Sequence, residues 1–87
     1  MENPYINITR EQVSKERLRL LKFAHSTKNK DVKKLYIMLL EVMLFTKELK
    51  YNKEYINENN AKLTIKSDLE EIETLSKKLN ITIPQLQ

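Results

Sequence analysis

Eighty-seven residues make one domain, and a chain of this size buries only about 60–65% of the surface its unfolded form exposes. It has no cysteine, one histidine and no glycine, which excludes disulfides, thiol chemistry, thiolate or multi-histidine metal sites and every glycine-rich phosphate loop. The net charge is +4 and uneven: residues 1–34 hold nine Lys/Arg against four Asp/Glu, and residues 35–87 hold seven against eight. A basic N-terminal half attracts nucleic acid, an anionic membrane or an acidic protein face.

The Met-Glu-Asn-Pro start has no apolar run of the kind a signal peptide needs, so the expected location is cytoplasmic. Residues 1–8 read as an N-terminal arm. Thr9-Arg-Glu-Gln12 is a capping box, and Ile8 and Val13 are spaced as a hydrophobic staple around it. These signals predict a helix from about Arg10 to His25. Its apolar face would carry Val13, Leu20, Leu21 and Ala24, with Phe23 at the margin and Arg17 inside the apolar sector. Lys15, Arg19 and Lys22 recur at i, i+4 and i+7 on the opposite face. They are the candidate nucleic-acid contacts, with a solvated helix face the preferred reading of them. No aromatic residue lies among them to stack on bases. His25 suits the negative end of the helix dipole, and the nearby Ser26 and Asp31 show no catalytic spacing.

Asn29 is the expected cap of a second helix from about Lys30 to Lys50, with Asp31 in its first turn. Its middle, Leu35 to Phe45, has ten apolar residues in eleven. That run is too short to cross a bilayer, which takes roughly 20 residues. On a 3.6-residue period Lys34, Glu41 and Glu48 fall on one line, leaving a single narrow polar edge. A bundle helix needs only part of its circumference apolar, so the surplus calls for other helices, a second copy or a partner. Tyr36, Ile37, Met38, Leu44 and Phe45 are the candidate partner or self-association residues. Tyr51, Tyr55 and Met43 also suit either an adaptable surface or a core. Glu41 reads as part of the wet edge, in preference to a pair with Arg17.

Asn57-Glu-Asn-Asn60 is expected to end whatever helical turn Tyr55 and Ile56 form, and Lys62 to Ile65 to be extended or irregular. Ser67-Asp-Leu-Glu70 fits a second capping box, opening a helix through Leu79 with Leu69, Ile72, Leu75 and Leu79 on one face. Asn80 would supply the left-handed residue at its end, and 80–87 would form an irregular C-terminal tail. The expected fold is all-α, a small bundle of three main helices with room for a short fourth, the second helix central.

Leu69 to Gln87 resembles the first helix and turn of a bacterial helix-turn-helix. Asn80-Ile-Thr82 matches the turn, and Thr82 to Gln85 would cap a recognition helix. The acidic first helix (Asp68, Glu70, Glu71, Glu73) points instead to a packing role. The small, basic, cysteine-free layout from about Asp31 to Leu79, with Lys62-Leu-Thr64 before the last helix, looks somewhat like the immunity proteins of class II bacteriocins. That resemblance implies a cytoplasmic bundle acting at a targeted membrane receptor. The residues themselves point to a non-enzymatic protein without cofactor or metal that binds another protein, with a homodimer as the simplest form. A regulator, accessory protein or inhibitor fits, and the Lys-, Ile- and Asn-rich composition suggests a low-GC bacterium, its phage or its plasmid.

Overall fold

The computed structural model describes residues 1–86, and Gln87, the last residue of the expected tail, lies outside them. The chain forms helix α1 (Arg10–Ser26), helix α2 (Lys30–Tyr51), a single 3-10 turn (Lys53–Tyr55) and helix α3 (Glu58–Leu79), with no strand among the described residues. Helix α2 is central and packs against both α1 and α3.

Local chemistry sets most of the helix ends. The Thr9 hydroxyl accepts from the Gln12 backbone N–H, and Gln12 Oε1 accepts from the Thr9 N–H at 2.9 Å, completing the expected capping box. Asn29 Oδ1 accepts from the N–H groups of Asp31 and Val32 at 2.9 and 3.1 Å. At the end of α3, Asn80 is left-handed (φ 55°, ψ 45°), the one positive-φ residue among those described. Its N–H donates to the Lys77 carbonyl and that of Ile81 to the Ser76 carbonyl, the paired bonds of a Schellman ending.

Helix α3 begins ten residues earlier than the second capping box predicts. Asn57 is an N-cap, its Oδ1 accepting from the Asn60 N–H at 3.0 Å, so the Asn57–Asn60 stretch opens a helix instead of closing one. Lys62 to Ile65 is helical, and Ser67 to Glu70 lies inside α3. The reason is packing: Ala61, Ile65, Leu69 and Ile72 recur at helical spacing and line the inner side of α3. Tertiary burial of that row outweighs the weak extended preference of Thr64 and Ile65.

The core joins Leu20 of α1 with Leu35, Leu39, Val42 and Met43 of α2 and Ile72 of α3. Each such burial contributes about 1.5–3 kcal/mol. Residues before α1 are part of it: Tyr5 and Ile8 are fully buried. The Ile8 carbonyl accepts from Lys50 Nζ at 2.9 Å and from the Tyr51 hydroxyl at 3.0 Å. Asn3 Nδ2 donates to the buried Thr46 hydroxyl at 2.8 Å. Residues 80–86 are irregular, and Ile81, Ile83 and Leu86 pack on the same core. No recognition helix forms after Asn80 among the described residues. The segment instead lays its alternate apolar side chains on the bundle.

Candidate protein-binding groove on the second helix

Arm, tail and flanking helices together cover much of the apolar circumference of α2, but one strip is left. Ile37, Leu40, Glu41, Leu44, Phe45 and Glu48 line an open groove of about 340 Å³. The four apolar members sit at i, i+3, i+7 and i+8, a continuous stripe along one helix face. Ile37 is 44% exposed, Leu40, Leu44 and Phe45 are half-buried, and the two glutamates supply the polar edge. A lone exposed isoleucine is ordinary on any protein surface. A stripe of four at helical spacing is the shape that accepts another helix.

The structure sorts the predicted surface residues. Ile37, Leu44 and Phe45 line the groove, and Leu40 joins them. Met38 points inward and is buried, so it is a core residue. Tyr36 is half-buried and stacks on Phe23 with ring centroids 5.1 Å apart, which ties α2 to α1. Sequence periodicity marks the whole apolar arc without saying which part the neighbouring elements cover, so Met38 is buried and Leu40 joins the open strip instead.

The wet edge is where the sevens spacing puts it. Lys34 and Glu41 are exposed and Glu48 is half-buried. Lys34 bonds Glu71 of α3, and Glu48 pairs with Lys47 beside it. Glu41 faces Asp68 of α3. Burial first, then the hydrogen bond and charge of Glu41 and the charge of Glu71, push the Asp68 carboxyl up to about 7. Asp68 Oδ2 is buried with no donor among the described residues. Held as the neutral acid, Asp68 keeps a second negative charge away from Glu41.

The basic face of α1 is thinner than predicted. Lys15 and Lys22 are exposed and hold no ion pair among the described residues. Arg19 turns inward, its Nη2 donating to Glu16 Oε2 and to the Gln85 carbonyl, each at 2.8 Å. Glu16 is only 3% exposed, while Arg17 is exposed, so the charge inside the apolar sector of α1 is Glu16 and not Arg17. The fully buried Tyr5 lies near both partners. Its hydroxyl has no hydrogen-bond partner among the described residues, and burial followed by the Glu16 charge raises its pKa.

A second apolar groove, of about 390 Å³, lies where the arm meets the C-terminal part of α2 and α3, lined by Asn3, Ile6, Thr46, Leu49, Lys50, Lys62 and Ile65. Sequence reasoning missed it because its residues come from three segments. A more polar cleft beside Arg10, Lys47 and Tyr51 is closed on one side by the Arg10 guanidinium, 4.7 Å from the Tyr51 ring centroid.

Fold and groove together define a small all-α bundle whose central helix keeps an outward apolar stripe. No helix among the described residues is long and apolar enough to cross a membrane. No protein-family model, no curated protein and no solved structure matches this chain.

Proposed function

We propose that this protein acts without catalysis, by protein–protein contact, and that the contact surface is the α2 groove with a second copy of the chain as its occupant. The observation that carries this reading is the stripe Ile37, Leu40, Leu44 and Phe45, still open after the three helices, arm and tail have packed. A homodimer of this kind suits a cytoplasmic regulator, accessory protein or inhibitor. Nucleic-acid binding gains no support from the basic face, because Arg19 is engaged with Glu16 and Gln85.

Sedimentation equilibrium from micromolar to millimolar protein tests the proposal. The expected result is a reversible dimer, converted to monomer by Leu44→Lys with the helical circular dichroism unchanged. A wild-type chain that stays monomeric throughout that range would overturn it.

A further inference from the structure

The groove stripe begins one helical turn earlier than its lining, at Lys33. That lysine is exposed, lies four residues before Ile37 on the same face and has no ion-pair partner among the described residues. From there the face reads Lys33, Ile37, Leu40 with Glu41, Leu44, Glu48. The order is basic, apolar, mixed, apolar, acidic. Such an order is self-complementary in one direction only. A twofold axis passing between Leu40 and Glu41 sets position 33 opposite 48 and 37 opposite 44. A parallel pairing would stack Lys33 on Lys33 and Glu48 on Glu48.

Resting on the self-association reading above, we propose that two copies pair through α2 in this antiparallel register. Lys33 of each copy then faces Glu48 of the other, at both ends of a seam about 22 Å long. Ile37 meets Leu44 on each side of the axis. Each Glu48 exchanges a pairing with its sequence neighbour Lys47 for one across the seam. The centre carries the cost of the arrangement. Glu41 of both copies approaches the axis, each with Asp68 behind it and with Lys34 held by Glu71 instead of screening them. The end pairs therefore set register and direction, the apolar stripe supplies affinity, and Glu41 limits it.

Charge exchange at low ionic strength tests the register, with dimerisation followed by sedimentation and helix content checked for each variant. Lys33→Glu alone and Glu48→Lys alone each weaken the homodimer about tenfold, since both ends become like-charged. Mixing the two variants in equal amounts restores a heterodimer of wild-type affinity, because each end then pairs opposite charges. Glu41→Gln tightens the wild-type dimer several-fold. If a wild-type dimer is lost with Leu44→Lys yet ignores both charge changes, or the mixture is no tighter than its components, this register is overturned while self-association stands. A wild-type chain monomeric at every concentration overturns both.

Discussion

Arg19 donates to the Glu16 carboxylate at 2.8 Å, and that carboxylate is almost sealed from water at 3% exposure. The two ends of the pair are not equivalent, since the Arg19 side chain keeps 22% exposure. Removing Arg19 strands a buried charge, whereas removing Glu16 leaves an arginine that can turn to solvent. Arg19→Ala is therefore expected to destabilise the fold by about 3 kcal/mol, and Glu16→Gln by only about 1 kcal/mol. Lys15→Ala and Lys22→Ala should stay within about 0.5 kcal/mol of wild type. Urea unfolding of the four variants checks the order, and equal effects for Arg19 and Lys22 would contradict the assignment.

The Tyr5 hydroxyl is a buried group with nothing to bond among the described residues. Tyr5→Phe removes an unsatisfied oxygen and keeps the ring. The expected outcome is unchanged stability or a gain of up to about 1 kcal/mol in thermal or urea unfolding. A loss of 2 kcal/mol or more would mean that the hydroxyl has a partner.

Stability should fall as pH rises from about 4 to about 7. Asp68 holds its proton up to about 7 in the folded chain, against a usual value of 3.8, so across that window the folded state binds more protons than the unfolded state. The groups facing Asp68 are Glu41 from α2 and Glu71 from its own helix, both acidic, and the nearby Lys34 is held by Glu71. Glu58, drawn down by Lys62 and Lys53, and Glu73, drawn down by the Met1 ammonium and Lys77, act with the opposite sign. Their contribution is lost only below their usual range near 4.5. Urea midpoints at pH 5 and pH 7.5 measure the slope. Asp68→Asn should flatten it and raise stability at pH 7.5 by about 1 kcal/mol.

Asn80 serves where most helices would use glycine. Asn80→Gly should be neutral or stabilising by a few tenths of a kcal/mol, and Asn80→Ala should cost about 1 kcal/mol, because alanine has a Cβ and no polar side chain to favour the left-handed region. Equal stability of the two variants would show that the Schellman ending contributes little.

What the sequence made legible was what is local. Thr9, Asn29 and Asn80 each act on backbone groups within four residues, and all three ends stand where the residue types put them. The all-α class and the central place of α2 follow from the Leu35–Phe45 run in the same way. The start of α3 was not legible. Asn57 and Ser67 are both plausible caps, and only the burial of Ala61 and Ile65 against the bundle selects the first. Glu16 was hidden for a related reason: periodicity counts a glutamate as solvent-facing, and nothing nearby announces that Arg19 will cover it. The groove was half legible. The apolar surplus of α2 is plain in the sequence, but which strip stays open depends on Tyr5, Ile8 and the tail, all remote along the chain.

The way the ends of the chain are fastened has a kinetic consequence. Helices adjacent in sequence pack on each other through α2, so both hairpins close over short loops and should form fast. The fasteners reach much further: Asn3 to Thr46 spans 43 positions, and Arg19 to Gln85 spans 66. Those contacts need the helices already in place, so arm and tail should dock after the transition state and undock before global unfolding. Amide exchange would then record two tiers. Arm and tail would open first, letting water reach Tyr5 and Glu16 while the middle of α2 stays protected.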